Sequence, residues 1–423
     1  MAWIILAVFL IFAVLMYTKK LSAILALPIM ALLIALLPNL AKPLDAITLV
    51  FGTGAPRMAA AMMNAVFGAM LAHIVFTTGI AETIIKKAAE LAGDKTMAVG
   101  IIMTLATAVA FISLGGLGSI IMVGTLVLPI MIGVGIRPLQ AGSMFLLGVS
   151  MGGMWNVANW GFYRDTLKVP IDTISSFATT NGIILIIAGL AYVVLNARSR
   201  RTTWAMPAAA PTPASAQAAP AISLITPLIP VVLILGFKYI PAKPINFDIN
   251  AALTIAALYG ILTTKPRETL NALTGAITEG VKNVAPVLGL MIGIGMAVTA
   301  LMSEPVKNVM TPMLKSIVPG SPVGFVLFFG LLSPLALYRG PLNLYGLGAG
   351  VGAILTGILK PHLVMGALMS TGMIQGVCDP TNTHNAWTAG FTKADVNDVL
   401  KQTLPYVFAA TLVALAVIGF TMW

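Results

Sequence analysis

The sequence predicts an all-α polytopic membrane protein built from two inverted-topology repeats, with about ten crossing helices plus two re-entrant helical hairpins and broken helices. Three observations carry this expectation. Hydrophobic residues make up 59% of the chain and charged residues only 9%, where a soluble domain carries about 25% charged residues. Apolar runs on the scale of a bilayer span, roughly 17–25 residues, follow one another at 2–17, 21–38, 58–80, 97–114, 117–136, 140–160 and 181–197. Landmarks then recur at a constant offset of 223 residues, with Gly52 returning as Gly275, Pro138 as Pro361, Gly153 as Gly376 and Asn159 as Asn382. Arg137-Pro138 returns as Lys360-Pro361, and Asn156 as Asp379. In a membrane protein such a duplication marks a secondary transporter with its site where the halves meet. A β-barrel would instead show short alternating segments.

Residues 1–197 form the first repeat. The run at 2–17 carries its charges, Lys19 and Lys20, after the apolar stretch and lacks a basic leader, so it reads as a first spanning helix rather than a cleaved signal. Segments 44–57 and 267–281 are moderately polar and read as interfacial connectors before the third spanning helix of each half. The runs 97–114 and 117–136 are separated only by Leu114-Gly115-Gly116-Leu117-Gly118-Ser119, which has no charge. The pair therefore reads as a hairpin over 97–136 whose tip stays at membrane depth, where protein or a wet cavity must satisfy the backbone. Residues 198–222 are Ala/Pro/Ser-rich, begin with Arg198, Arg200 and Arg201, and read as a cytoplasmic linker. The second repeat, 223–423, has its hairpin near 322–358 with a tip at Tyr338-Arg339-Gly340-Pro341-Leu342-Asn343. Counting each hairpin as no crossing leaves an odd number per half, which inverts the second half. Basic residues then divide 14 inside to 8 outside, favouring a cytoplasmic linker and both termini outside.

The net charge of +11 is explained by these loop residues, and nucleic-acid binding is not expected. The single cysteine, Cys378, rules out an intramolecular disulfide and a thiolate cluster, and it reads as a packing residue. Three scattered histidines do not suggest a structural metal. His73 reads as core, His362 as interfacial and His384 as a solvated residue at a helix start. No Walker motif, nucleotide fingerprint or nucleophile constellation is present, so an enzyme is not expected.

The chemistry concentrates in the sixth segment of each half. Gly152-Gly153-Met154-Trp155-Asn156-Val157-Ala158-Asn159-Trp160 and Gly376-Val377-Cys378-Asp379-Pro380-Thr381-Asn382-Thr383-His384-Asn385 interrupt apolar helices with polar groups. An unwound turn exposes carbonyls to a cation and half-helix N-termini to an anion; the same residues also serve simply as helix caps. Asp379 fits a coupling-ion role, for Na⁺ or a proton, and equally an N-cap with Pro380 at the first helical position. Arg339 at a hairpin tip is expensive at membrane depth, and its planar fork suits a carboxylate. Ser119 and Asn343, near the tips, are hydrogen-bond donors toward a substrate. Arg164-Asp165 reads as a loop ion pair, and Glu279 as a second candidate coupling carboxylate.

The tips GGLGS and YRGPLN, with the breaks WNVANW and CDPTNTHNAW, resemble the ion transporter superfamily, and within it the citrate transporter-like and gluconate permease-like carriers. The likeness covers nearly the whole chain. It implies a substrate and cation site at Gly116, Gly118, Ser119, Asn156, Asn159, Arg339, Asn343, Asp379, Thr381 and Asn382, with Asp379, Asn156 and Ser119 around the coupling ion. Neither tip has the Ser-Asn-Thr triplet of the dicarboxylate carriers, and one carries Arg339 instead. Members commonly dimerise, so a homodimer is an expectation of the resemblance. The sequence thus points to a multi-pass bacterial inner-membrane symporter of a small organic anion such as citrate, a dicarboxylate or a sugar acid. It would be coupled to H⁺ or Na⁺, with no cofactor beyond Na⁺ as the coupling ion. The alternative is a Na⁺/H⁺ antiporter on the same scaffold.

Overall fold

The computed structural model describes the chain except residues 19, 94, 198–217 and 241–244. Most of the expected linker, with Arg198, Arg200 and Arg201, lies outside the described residues. Its last residues do not behave as linker. Ala219 is buried and its N–H donates to Thr83 Oγ1 at 2.8 Å, and a 3₁₀ segment, Ala221–Leu228, already opens the second half.

The described residues are all-helical, with no strand among them. In the first half the helices are α1 Ala2–Tyr17, α2 Ala23–Leu36, α3 Pro43–Ile47, α4 Ala59–Thr77, α5 Ile80–Ala92, α6 Thr96–Phe111, α7 Gly116–Gly133, α8 Pro138–Met154, α9 Val157–Leu167 and α10 Ile171–Asn196. In the second half they are α11 Ile229–Tyr239, α12 Ile249–Thr264, α13 Thr269–Met302, α14 Glu304–Lys315, α15 Pro322–Leu332, α16 Gly348–Leu355, α17 Pro361–Cys378, α18 Thr383–Phe391 and α19 Val396–Thr421. The order of elements repeats along with the landmarks. The Arg-Pro and Lys-Pro pairs have a local cause: Pro138 and Pro361 open α8 and α17, where a missing N–H costs nothing and the fixed φ suits the first turn.

Among the described residues, seven helical runs are long and apolar enough to cross a membrane, and four more apolar helices are shorter. The protein is therefore a multi-pass integral membrane protein. The seven coincide with the expected spans only in part, as Pro43–Thr77 does with 58–80 and Ile171–Asn196 with 181–197. They include Gly116–Gly133 and Pro322–Arg339, both assigned to hairpins. Nor do the expected connectors stand apart. Residues 44–57 fall inside one run, Pro43–Thr77, and 267–281 inside another, Pro266–Met302. Gly52, Gly54 and Pro56 do not break the first run, because a π turn (Thr48–Gly54) and a 3₁₀ turn (Ala55–Met58) absorb them.

The halves interlock in two bundles. In one, α13 packs on α2 and α4, and α4 on α12; in the other, α8, α10, α17 and α19 pack together. The α4 run and α13 pass antiparallel. A Cβ on Gly295 would lie 2.5 Å from the Gly54 carbonyl oxygen, one on Gly280 would lie 3.1 Å from the Met70 nitrogen, and Gly275 faces His73. Small residues let backbones approach this closely where no hydrophobic force drives helices together in lipid. Helices α10 and α19 also run opposite ways: Tyr192 meets Tyr406 edge-on at 5.2 Å, while Phe177 and Ile418 meet over Gly366.

Candidate functional site

Both breaks sit where the expected polar residues are, and their backbones match. Asn156 has φ −74 and ψ 112, and Asp379 has φ −70 and ψ 112. Each side chain accepts the N–H two residues on: Asn156 Oδ1 from Ala158 at 3.0 Å and Asp379 Oδ1 from Thr381 at 2.9 Å. The Thr381 hydroxyl adds a second bond to Asp379 Oδ1 at 2.7 Å. Such Asx turns let a short polar side chain replace a lost helical partner.

Much of the polar density after each break closes the preceding helix. The last carbonyls of a helix have no partner within it. Asn159 Nδ2 donates to Gly153 O at 3.0 Å and Trp160 Nε1 to Met154 O at 2.8 Å. In the second half Asn382 Nδ2 donates to Gln375 O at 2.6 Å, and Asn385 Nδ2 to the carbonyls of Val377 and Asp379 at 3.1 and 2.9 Å. His384 is half-buried with Nε2 3.2 Å from Gly376 O, so it belongs to this cap rather than to solvent.

Each break then holds the hairpin tip of its own half. The first tip turns at 112–115, so Gly116 and Gly118, expected in the turn itself, form the first turn of α7 together with Ser119. Asn156 Nδ2 donates to the carbonyls of Leu114 and Phe111 at 3.0 and 3.4 Å. Ser119 Oγ donates to Gly115 O at 2.9 Å, and a Cβ on Gly118 would lie 3.3 Å from Asn283 Oδ1 of α13. Ser119, Asn156 and Asp379, expected around one ion, thus have separate partners.

The second tip is not a copy of the first. Pro334 and Pro341 interrupt it, leaving a 3₁₀ segment, Ser333–Arg339, kinked at Leu337 and Tyr338, and an irregular stretch up to the short helix α16. Gly116 has φ +79, and the residue 223 further on, Arg339, has φ +57. An arginine therefore stands in the left-handed conformation that glycine supplies in the other half, at a cost of about 1–2 kcal/mol. The Arg339 N–H reaches Asp379 Oδ2 at 3.4 Å, and Asn343 Nδ2 reaches the same oxygen at 3.5 Å. The half-buried Arg339 guanidinium donates to Tyr345 O at 3.2 Å. Asp379 and Asn343 are fully buried, so a ligand meets them only after the tip moves. An open cavity of about 400 Å³ lies elsewhere, between Asp172, Tyr239, His362 and Met422.

Tyr345 is the residue that sequence reasoning missed. Its hydroxyl donates to Asn159 Oδ1 at 2.8 Å, and its ring stacks on Phe162 at 4.7 Å. The second tip is thereby tied to the first break. In the converse contact, Trp387 of α18 lies on Gly124 of α7. The aromatic ring so close to YRGPLN was the available signal. Gln375, which pairs with Asn382 Oδ1 at 3.0 Å, was also missed, one residue before the quoted motif. Arg164 and Asp165 do pair, at 2.8 Å, but on α9 rather than in a loop, with Asn64 Nδ2 3.5 Å from Asp165. Glu279 pairs with Lys282 on the exposed side of α13, and Cys378 is buried against Thr403.

No protein-family model matches the sequence, and no curated protein is similar to it in sequence. Solved structures are similar in fold. The YdaH transporter of Alcanivorax borkumensis, described as having an unusual topology, superposes with a TM-score of 0.61 at 14% identity, over 94% of this chain and 98% of its own. MtrF of Neisseria gonorrhoeae, from a class of antimetabolite efflux pumps, gives a TM-score of 0.62 at 14% identity over 92% of this chain and 86% of its own. Over nearly its whole length, the chain has the fold of these two membrane transporters.

Proposed function

We propose that the protein is a secondary transporter that moves a small organic carboxylate, such as citrate, a dicarboxylate or a sugar acid, by alternating access coupled to H⁺ or Na⁺. Arg339 carries this reading. A guanidinium with five donors is held half-buried at a hairpin tip, in a backbone conformation its side chain disfavours, beside the second break and on the Tyr345 that reaches the first. Strain of this kind is retained where function needs it, and the planar fork suits a carboxylate. The site would comprise Gly116, Gly118, Ser119, Asn156, Asn159, Arg339, Asn343, Asp379, Thr381 and Asn382. Equivalent helices that run antiparallel, α4 against α13 and α10 against α19, support inverted repeats, with the linker cytoplasmic and both termini outside a bacterial inner membrane. The fold shared with YdaH and MtrF supports transport as the activity. The citrate transporter-like assignment rests on the tips and breaks alone.

The likeness to MtrF favours a second reading, export of the organic acid in exchange for H⁺ or Na⁺. One experiment separates the two. Purified protein in liposomes is given radiolabelled citrate, succinate, gluconate and glutamate under imposed H⁺ or Na⁺ gradients of either direction. Accumulation with an inward ion gradient supports symport. Accumulation driven only by an outward ion gradient supports exchange. Ion movement with every acid silent would leave the Na⁺/H⁺ antiporter.

A further inference from the structure

Asn156 and Asp379 occupy the same backbone conformation, accept the same i+2 N–H, and each grips the tip of its own half. Their hydrogen-bond polarity is opposite. In the first half the break donates and the tip accepts, through Asn156 Nδ2 and the carbonyls of Leu114 and Phe111. In the second half the tip donates and the break accepts, through Arg339 N–H, Asn343 Nδ2 and Asp379 Oδ2. The donors facing Asp379 are largely fixed. A backbone N–H cannot reverse, and Asn343 Oδ1 already takes the Tyr345 N–H at 2.9 Å, which turns Nδ2 toward Asp379. Oδ1 is taken by the Thr381 N–H and hydroxyl. An added proton on Oδ2 would point at two N–H groups.

We infer that Asp379 is a positioning residue, a carboxylate latch that holds the second hairpin tip closed through Arg339 N–H and Asn343, rather than the carrier of the coupling ion. At 3.4 and 3.5 Å these contacts are longer than an ideal N–H···O bond of about 2.9–3.0 Å. The tip is thus held by two bonds to one carboxylate oxygen that are longer than ideal, so a gate closed by them can still open. The identity of residue 379 follows: the neutral amide that serves in the first half would set donor against donor in the second. The inference rests on the reading of tips and breaks as the transport site, but its test reads no transport.

The test is amide hydrogen exchange over residues 339–348 together with the melting temperature of the purified full chain. Gly346, Leu347 and Gly348 N–H groups are bonded within the tip, to Asn343 O and Arg339 O, so they report its closure. Asp379→Asn should raise exchange there about tenfold or more, as expected for losing a hydrogen bond to a charged group, and should lower the melting temperature. Asn343→Asp combined with Asp379→Asn reverses donor and acceptor: the amide at 379 keeps the Thr381 turn and donates to the new carboxylate at 343. That pair regains the contact at 343 but leaves the Arg339 N–H facing the amide at 379, so it should restore protection and melting temperature part of the way from the single variant toward wild type, even if the single variant barely folds. Wild-type protection in Asp379→Asn, or failure of the swapped pair to recover, would overturn the latch. Silence of every organic acid in liposomes, with the swap still rescuing the tip, would sink the transport reading and leave the latch standing.

Discussion

Single residues decide which polarity each tip needs. Replacing Asn156 by Asp puts carboxylate oxygens against the carbonyl oxygens of Leu114 and Phe111 and removes the donor that both now use. A buried polar group left without its partner costs about 1–3 kcal/mol. Asn156→Asp should therefore lower the melting temperature of the purified protein, and Asn156→Ala should lower it less, because alanine brings no new charge. Arg339 gives the opposite sign. Arg339→Gly relieves a left-handed backbone worth about 1–2 kcal/mol, partly offset by the extra freedom of glycine in the unfolded chain. The variant should melt no lower than wild type and still lose organic-acid binding, both readable in one thermal-shift series. A large drop in melting temperature would mean that the guanidinium is a structural strut.

At the scale of elements, much was legible in the sequence, and the failures have physical causes. The breaks were visible because Asn, Asp and Thr inside an apolar helix need partners, and Pro138 and Pro361 fixed where the helices before them begin. The connectors do not stand as separate elements, because moderate polarity does not interrupt a helix. In fact the segment from Pro43 stays helical by a π turn and a 3₁₀ turn, which no periodicity at 3.6 residues reveals. The glycines near 54 and 295 had a role that only the fold discloses, the antiparallel crossing of the α4 run on α13. A methyl group on Gly295 would fall 2.5 Å from Gly54 O, and overpacking of this kind costs about 1–3 kcal/mol. Gly295→Ala should destabilise the protein by that order, whereas Gly93→Ala, where a Cβ meets nothing within 4 Å, should cost only the strain of its positive φ. Melting temperatures of the two variants side by side check the assignment.

At the scale of the whole molecule, the account turns on one half holding the other. The recurrence of landmarks was readable from the offset alone, but the exchange of contacts was not. Tyr345 of the second tip reaches Asn159 and Phe162 of the first half, and Trp387 of α18 reaches Gly124 of α7. The Tyr345–Asn159 pair lies 186 residues apart, and no local pattern announces such contacts. Tyr345→Phe keeps the stacked ring on Phe162 and removes only the hydroxyl bond to Asn159. We expect a loss of about 0.5–1.5 kcal/mol, seen as faster amide exchange in the second tip, with the melting temperature little changed. If the exchange of that tip is unaffected, the tie between the halves does not hold it.

The most direct test of the central claim is a thermal-shift titration of wild type and Arg339→Gly with citrate, C4-dicarboxylates, sugar acids and amino acids, with and without Na⁺. A ligand that binds only the folded state raises its melting temperature. The account expects at least one carboxylate to stabilise wild type in a saturable way, and the same compound to leave the folded Arg339→Gly variant unmoved. Equal stabilisation of both proteins, or stabilisation of wild type by Na⁺ alone with every acid silent, would contradict it.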